Sequence, residues 1–295
     1  MEHGVIPGDE LVGGIDLLST IESGQTYCWR REDGRTYESD ERGGWYTTVV
    51  EGEVLRVRQV GDGLEWEATT DPVDRLTHLL RLDDDLDAIL AATPDDPLID
   101  EAYRVHGGLR LVRDPPFRCL VSFICSAQMQ VPRIHRMQVA LSETFGEAVE
   151  VEGKTYHAFP TPERLARASE QELRGLSLGY RAPYVKATAE MVAGGDAHPE
   201  EALGLEYEAA RESLTRFVGV GEKVADCVLL FSLGYLQAVP LDTWIRSAIA
   251  EYYPECDRGN YRETSRAIRE RFGGEYAGYA QTYLFHHLRT GAATV

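Results

Sequence analysis

Lysine is nearly absent from this sequence. It occurs at three of 295 positions, Lys154, Lys186 and Lys223, and the other 27 of the 30 basic residues are arginines. Arginine supplies positive charge with a group that stays protonated in proteins, so it does not serve as a base or nucleophile. A lysine retained in this background is therefore a candidate for chemistry that needs a neutral amine.

Long apolar runs and paired cysteines are also lacking. No apolar stretch of about 18 residues and no basic, apolar amino-terminal signal is present, which argues against a membrane span and against secretion. The five cysteines are odd in number and dispersed, as expected for reduced thiols in a cytoplasm. Cys119 and Cys125 lack the spacing of a metal-binding pair, and only Cys256 follows the glycine turn described below, so no four-cysteine iron–sulfur cluster and no metal site is expected.

Acidic residues outnumber basic ones by 49 to 30, which gives a net charge of −19. At low salt such a charge repels polyanions, and taken alone it argues against nucleic acid. Acidic, lysine-poor compositions are also common in salt-adapted proteins, and high salt weakens phosphate contacts because it reduces counterion release. We therefore interpret the negative charge mainly as an adaptation to a salty habitat, and only secondarily as information about the binding partner.

The amino-terminal part is predicted to form an antiparallel sheet. Between residues 26 and 68, apolar and charged side chains alternate, and Gly61-Asp62-Gly63 has the composition of a hairpin turn. Such alternation is typical of a sheet with one face in water. The predicted strands carry Thr47-Thr48-Val49-Val50, then Leu55 and Val57, then Leu64 and Trp66.

Helical spacing follows Pro72 and dominates beyond Asp114-Pro115-Pro116. The acidic run Asp83-Asp84-Asp85 with Asp87 could bind a cation, but a solvated helix start accounts for it. Residues 117–130 are apolar on most sides and are predicted to form a buried central helix. Further helices are predicted at 73–82, 133–144, 162–168, 170–176, 182–193, 207–217, 223–233 and 243–250.

These patterns predict an α+β fold, with an amino-terminal antiparallel sheet domain followed by a mainly helical body. We place the sheet domain, with its flanking helices, at residues 1–106 and the body at 107–295. Two lobes are expected in the body, at about 115–222 and 223–295. The hydrophobic content of 43% is enough for one large core or several smaller ones.

A pair of glycines joins two of the predicted helices. Apolar stripes at 207–217 and 224–231 flank Val218-Gly219-Val220-Gly221. Glycine permits positive φ and close approach to a ligand, and the first N–H groups of the second helix point outward as an anion site. A helix–hairpin–helix at about 207–233 would hold a DNA phosphate through backbone amides, which suits an acidic protein.

Two other interpretations of this turn compete. A dinucleotide-binding loop is disfavoured, because a helix rather than a strand precedes it and Val224 occupies the place of the third glycine. A plain helix–helix turn, with Lys223 as a surface residue, stays open from this motif alone.

Lys223 and Asp242 are the candidate catalytic residues. Lys223 lies at a predicted helix start, where the positive end of the dipole disfavours a second positive charge and favours a neutral, nucleophilic amine. Asp242 follows the extended Val239-Pro240-Leu241 and would be explained by an N-cap role alone. Beside Lys223 it could also stabilise a developing oxocarbenium cation or steer protons, and capping would hold it ionised.

With these residues in place, the sequence resembles the 8-oxoguanine DNA glycosylases of the helix–hairpin–helix superfamily, of the type found in eukaryotes and some archaea. The similarity runs from Ser23-Gly24-Gln25 to Phe285. Several separated motifs occur in the right order, which makes coincidence improbable. The most specific segments are Ser122-Phe123-Ile124-Cys125-Ser126, Leu178-Gly179-Tyr180-Arg181-Ala182, the stretch from Gly219 to Cys227, and Ala238-Val239-Pro240-Leu241-Asp242.

The resemblance implies an enzyme that flips its target nucleotide out of duplex DNA. Lys223 would attack the sugar C1′, expel 8-oxoguanine and form a Schiff base from which the strand is nicked by β-elimination, with Asp242 as the essential carboxylate. No metal or organic cofactor is implied. The Gly24 carbonyl would accept the N7 hydrogen that 8-oxoguanine has and guanine lacks. Without the resemblance, Gly24 is a turn residue.

The same resemblance assigns the rest of the base pocket. Gln281 would read the Watson–Crick edge of the flipped base, and Phe285 with Cys227 would sandwich its ring. Both sandwich residues lie on apolar helix faces, so plain core packing is the alternative for them.

DNA contacts outside the pocket are implied as well. Tyr180 would wedge into the gap in the base stack, while Arg181 and Arg133 would contact the orphaned cytosine through their forked donors. A solvated helix face is the alternative for both arginines. The turn residues Gly219, Val220 and Gly221 would bind the DNA backbone.

Three departures from the family pattern affect these contacts. Gln128 and Gln130 stand where the family usually has asparagines, at the gap opposite the flipped base. Trp244, assigned to DNA binding, replaces a histidine. Val218 stands where a proline often begins the hairpin.

Together, these features predict a bifunctional DNA glycosylase and AP lyase that acts on 8-oxoguanine in duplex DNA. We expect a monomer, cytoplasmic and at the nucleoid when it acts, with no membrane partner. One alternative is a monofunctional alkylated-base glycosylase, which needs the aspartate but no nucleophilic lysine. The other is a non-catalytic helix–hairpin–helix module that clamps DNA or a protein partner.

Overall fold

The computed structural model describes residues 1–291. Its amino-terminal part contains a five-stranded antiparallel sheet with strand order β1-β5-β4-β3-β2. A core of apolar side chains between this sheet and its neighbouring helices includes Trp29, Leu55, Leu64 and Leu76. The strands are β1 (Glu2–Ile6), β2 (Arg30–Arg31), β3 (Tyr46–Val50), β4 (Glu53–Val60) and β5 (Gly63–Ala68).

The three predicted strands and their hairpin turn are confirmed, since β4 and β5 pair from Val60 and Gly63 outward. Two details differ. Most of residues 26–45 form no strand apart from the two-residue β2 at one edge of the sheet. The other edge is supplied by β1, which pairs with β5. The expected water-facing side is absent from β3, because the helical body packs against it: Arg118 donates to Thr48 Oγ1 at 3.1 Å.

Helices accompany the sheet and form most of the body, as predicted for an α+β fold. Those before the body are α1 (Leu17–Glu22), α2 (Val73–Leu79), α3 (Leu86–Ala91) and α4 (Pro97–Val105). The body contains α5 (Pro116–Cys125), α6 (Val131–Phe145), α7 (Pro162–Arg167), α8 (Glu170–Gly175), α9 (Ala182–Gly194), α10 (Tyr207–Leu214), α11 (Glu222–Phe231), α12 (Thr243–Tyr252), α13 (Tyr261–Arg271) and α14 (Ala277–Gly291).

Two expectations about these elements are corrected. The central helix α5 ends at Cys125 rather than near residue 130, because Gln128 adopts φ +53°, which cannot continue a right-handed helix. The body also contains a hairpin of β6 (Ala148–Val151) and β7 (Lys154–His157) where only helices were expected. The acidic run does begin a helix: Asp85 caps α3 by accepting from Ala88 N.

Two further apolar cores organise the body. The larger contains the buried faces of α5, α9, α10 and α11, and the smaller is built from α12, α13 and α14 with Ile99 of α4. The connection from α11 to α12 therefore leads from one core to the other. Among the helices of residues 1–291, none is long and apolar enough to cross a membrane.

Candidate active site

The glycine turn joins α10 to α11 as predicted. Gly219 has φ +82°, and a Cβ there would lie within 2.8 Å of the Tyr184 ring, so the position requires glycine on two grounds. Gly219 and Gly221 are exposed, whereas Val220 is buried and anchors the turn in the large core. The turn therefore presents its backbone to solvent at the start of α11.

Lys223 lies in the first turn of α11 and is half-buried. Its Nζ donates to Ser126 Oγ at 3.0 Å and lies 5.4 Å from the centre of the Phe123 ring. One helical turn further, Cys227 is 2% exposed, and burial raises the pKa of its thiol to about 12 against the effect of Lys223. The Lys223 side chain is thus held by specific contacts with Ser126 and Phe123, and a neutral thiol lies one helical turn away.

Asp242 is the N-cap residue of α12, and its carboxylate accepts from Ile245 N at 2.8 Å. Burial raises the pKa of Asp242, while the Ile245 and Trp244 N–H groups and the nearby Lys223 charge act in the opposite direction. Asp242 thus caps α12 and also lies within range of the Lys223 charge. The capping bonds favour the ionised carboxylate, as expected, but desolvation has the larger effect on its pKa.

Gly24 follows α1 and has φ +100°. A Cβ there would lie 3.2 Å from Val131 Cγ2 and 3.4 Å from Phe285 Cε1, so the fold brings residues 24 and 285 together across the chain. The Gly24 carbonyl accepts a hydrogen bond of 2.8 Å from the Tyr27 hydroxyl. A carbonyl oxygen has two lone pairs, so it retains the capacity to accept from a second donor.

Gln281 and Phe285 lie one turn apart on α14. Gln281 is 4% exposed and accepts from Thr282 Oγ1 at 3.4 Å, whereas Phe285 is half-buried with the Arg289 guanidinium 5.7 Å from its ring centre.

Burial raises the pKa of Tyr27, with Cys227 and Asp242 contributing to the same effect. Tyr27 thus contacts the proposed base pocket through Gly24 and lies within range of the Asp242 charge.

The residues assigned to the opposite strand meet at one carbonyl. Tyr180 is 49% exposed, and its hydroxyl lies 3.4 Å from Ala127 O. Arg181 is buried, donates to the same Ala127 O, and has its guanidinium 4.3 Å from the Tyr180 ring centre. Gln128, the next residue, is exposed. Contact of Arg181 with DNA would require the buried guanidinium to become accessible, because Arg181 is 4% exposed here.

Arg133 on α6 and Trp244 on α12 are exposed, and Trp244 is 41% accessible.

A cavity of about 200 Å³ lies elsewhere, between the sheet, α6 and the β6–β7 hairpin, lined in part by Cys28, Arg118 and Gln138. The predicted site residues do not line it, so its size alone does not identify the site. Residues 1–291 contain no group of three or more side chains arranged to hold a metal ion.

Three contributors to the site had no assigned role in the sequence. Tyr27, Phe123 and Ser126 contact Gly24 or Lys223, yet they come from segments far from Lys223 in the chain. Ser126 and Phe123 belong to a motif that carries the family resemblance, which was the available signal for them. Tyr27 follows Gly24 by three residues, but its contact with the Gly24 carbonyl depends on where its hydroxyl points, which the sequence does not show.

Comparisons with known proteins agree along the chain. Residues 121–273 match the HhH-GPD superfamily base excision DNA repair protein family, and residues 12–120 match the 8-oxoguanine DNA glycosylase N-terminal domain. A "Probable N-glycosylase/DNA lyase" of Methanothermobacter thermautotrophicus is 32% identical over 94% of this chain and 95% of its own length. The N-glycosylase/DNA lyase OGG1 of Arabidopsis thaliana is 31% identical over 92% of this chain and 76% of its own length.

A solved structure has the same fold as this chain. The 8-oxoguanine glycosylase/lyase of Clostridium acetobutylicum, determined with double-stranded DNA containing cytosine opposite 8-oxoguanine, superimposes with a TM-score of 0.84 at 30% identity and covers 94% of this chain and 93% of its own. The matched families and the relatives of similar length lead to one conclusion: this chain belongs to the 8-oxoguanine DNA glycosylase family of the HhH-GPD superfamily of base excision DNA repair proteins.

Proposed function

We propose that this protein is a bifunctional DNA glycosylase and AP lyase that removes 8-oxoguanine from duplex DNA. The observation that carries the proposal is the pairing of Lys223 with Asp242. A half-buried amine lies directly after the glycine turn, and its charge acts to lower the pKa of a carboxylate that is fixed at a helix N-terminus. A plain helix–helix turn would need neither group.

The chemistry assigns one role to each group. The Lys223 amine attacks C1′ of the flipped nucleotide, and the C1′–N9 bond breaks with its electron pair leaving on the base, which is then protonated. The Asp242 carboxylate stabilises the positive charge that develops on the sugar. The amine then loses its proton and the sugar ring opens to a Schiff base. Loss of a C2′ proton expels the 3′ phosphate and nicks the strand.

Base selection is assigned to Gly24, Gln281, Phe285 and Cys227. The Gly24 carbonyl accepts N7–H of 8-oxoguanine, and guanine is rejected because it leaves that acceptor facing a lone pair. Gln281 hydrogen-bonds the Watson–Crick edge, and the ring lies between Phe285 and Cys227. The Gly24–Phe285 proximity supports this assignment.

Duplex DNA is bound mainly at the turn Gly219, Val220 and Gly221 before α11, through the backbone amides of the exposed Gly219 and Gly221. Val220 supports this surface, because its N–H donates to Phe217 O at 3.1 Å and its side chain is buried. Tyr180 and Gln128 fill the gap in the stack, with Arg181, Arg133 and Trp244 at the flanking positions. Their clustering around Ala127 supports the assignment of Tyr180, Gln128 and Arg181. We further propose that the protein acts as a monomer in the cytoplasm, at the nucleoid.

Borohydride trapping tests the proposal. Incubation with an 8-oxoguanine duplex and borohydride should yield a covalent protein–DNA adduct, and Lys223→Gln should abolish it while leaving DNA binding intact. Since the chain has only two other lysines, Lys154→Gln and Lys186→Gln complete the set of controls and should trap like the wild type. Persistence of the adduct in Lys223→Gln would move the nucleophile elsewhere.

The two alternatives give different results in the same assay. Base release without an adduct would favour a monofunctional alkylated-base glycosylase, whose chemistry needs Asp242 but not Lys223. Binding without base release or adduct would favour a non-catalytic clamp. Only the bifunctional enzyme loses its adduct on substitution of Lys223.

A further inference from the structure

Behind the Lys223–Asp242 site, a buried carboxylate joins three helices. Asp226 lies on α11 three residues after Lys223 and is fully buried. Its Oδ1 accepts from the Tyr207 hydroxyl and its Oδ2 from the Tyr261 hydroxyl, both at 2.7 Å. Arg211 lies 3.6 Å from Oδ2. Asp226 thus connects α11 with α10 and with α13.

The Tyr261 hydroxyl also reaches the segment that carries the acid. Its oxygen accepts from Leu241 N at 3.2 Å, and Leu241 directly precedes Asp242. The same hydroxyl donates its hydrogen to Asp226, so one oxygen links the helix of Lys223 to the backbone that enters α12. Tyr207 makes only the first of these two connections.

Neighbouring contacts hold the Tyr261 ring in place. The guanidinium groups of Arg211 and Arg246 lie 5.7 Å and 5.6 Å from its ring centre. Next to it on α13, Arg262 forms a 2.6 Å ion pair with Glu222, the residue before Lys223. The first turn of α13 is therefore attached to the amino-terminal half of α11 at two points, Glu222 and Asp226.

On the basis of the proposed function, we propose that Tyr261 is a positioning residue for base excision, which fixes the separation of Lys223 and Asp242 by joining Asp226 to the Leu241 N–H. Neither the nucleophile nor the acid is touched by Tyr261. Its effect is geometric: the amine and carboxylate must face opposite parts of one sugar ring, and a displacement of about 1 Å can slow such a reaction roughly 100-fold.

The test compares Tyr261→Phe with Tyr207→Phe in the full-length protein. Each substitution removes one hydroxyl from Asp226, but only Tyr261→Phe also releases Leu241. Single-turnover excision from an 8-oxoguanine duplex should slow by about 10- to 100-fold in Tyr261→Phe. Affinity for a duplex containing an uncleavable abasic analogue should stay unchanged. Tyr207→Phe should excise at the wild-type rate despite a comparable fall in thermal stability.

Asp226→Asn tests the same link from the other end. The two tyrosines donate to different oxygens of Asp226, and a carboxamide replaces one of these with an NH2 group that cannot accept, so one link is lost and excision should slow with affinity unchanged. Circular dichroism verifies that each variant is folded.

Three results would overturn the inference: equal slowing by both tyrosine variants, slowing by neither, or a loss of DNA affinity large enough to account for the slower reaction. A wild-type protein that releases no 8-oxoguanine would instead overturn the proposed function. The two failures are therefore distinguishable within one set of assays.

Discussion

Single hydroxyl groups connect the residues of the candidate site, and Tyr27 is one example. Its hydroxyl donates to the Gly24 carbonyl, the acceptor assigned to base discrimination. When guanine occupies the pocket, this donor still satisfies the carbonyl and reduces the penalty of an unpaired buried acceptor. That penalty is about 1–3 kcal/mol when no donor is present.

Tyr27→Phe should therefore make the enzyme more selective. The ratio of excision rates for 8-oxoguanine and guanine in otherwise identical duplexes should rise by about tenfold, which corresponds to about 1.4 kcal/mol. Tyr37→Phe is the matched control, because the Tyr37 hydroxyl donates to Thr26 O and not to Gly24. An unchanged ratio in Tyr27→Phe would show that the hydroxyl has no part in selection.

Asp242 is expected to lower the free energy of unfolding at neutral pH, because burial disfavours its charged form. Its pKa is raised in the folded protein, so the folded state binds the proton more tightly than the unfolded state. Its contribution to stability is therefore most favourable below the ordinary aspartate pKa and decreases as pH rises through the folded value.

Asp242→Asn, which keeps a capping oxygen, should be more stable than the wild type at pH 7, and this advantage should shrink as pH falls toward about 4. Urea unfolding followed by fluorescence at several pH values measures it. Dilute protein is needed near the sequence pI of about 4.8. A stability difference that grows on acidification would contradict the raised pKa.

At the scale of elements, the helix–hairpin–helix depends on two glycines that act differently. Gly219 has positive φ and contacts Tyr184, whereas Gly221 has φ −93° and open space where a Cβ would stand. One glycine is therefore needed for the fold of the turn and the other for access to its backbone amides.

Gly219→Ala should destabilise the protein by about 1–3 kcal/mol or more, through backbone strain and the clash with Tyr184. Gly221→Ala should cost only roughly 0.5 kcal/mol, from the poorer N-cap, yet weaken DNA binding by placing a methyl group at the phosphate site. Thermal melts and binding titrations separate the two effects. Equal losses of stability would contradict this division.

Most elements were predictable from the sequence because their patterns are periodic. Strands β4 and β5 alternate, β3 is rich in β-branched residues, and α10 and α11 carry apolar stripes on either side of the glycine turn. The hairpin of β6 and β7 was missed because each strand has only four residues and none of them is fully buried, so the alternation of Val149 and Val151 with Glu150 is too short to stand out among helices. Helix α14 was missed for the opposite reason, since Ala277 to Leu284 are all buried and leave no polar face.

Only part of the candidate site could be predicted from local sequence signals. Lys223 and Asp242 follow from local signals, a turn and a cap, whereas Gln281 and Phe285 required family resemblance because α14 lacks a readable pattern. Tyr27 and Tyr261 have no local signal, since their roles depend on contacts between distant segments. The division of the chain at residues 106 and 107, and of the body near 222, stays a prediction.

For the whole molecule, the net charge of −19 has to be reconciled with a polyanionic partner. Many arginines are already paired with carboxylates, among them Arg30 with Glu143, Arg113 with Asp83 and Arg216 with Glu201. Such pairs contribute little attraction to DNA. Binding through neutral backbone amides at the glycine turn avoids the need for a basic surface.

DNA binding should consequently depend weakly on salt. If side-chain charges neutralise only about two or three phosphates, the logarithm of the affinity should fall with the logarithm of salt concentration at a slope of about −2 to −3. Excision should persist at molar salt, and Arg133→Gln should change the slope by less than one, because the contact assigned to Arg133 is a base edge rather than a phosphate. Lys154→Gln, on the exposed hairpin, is the control of equal charge change and should leave both the slope and the affinity unaltered. A steep slope with loss of excision at molar salt would mean that DNA is held by side-chain charge, and that the acidic surface is not an adaptation to salt.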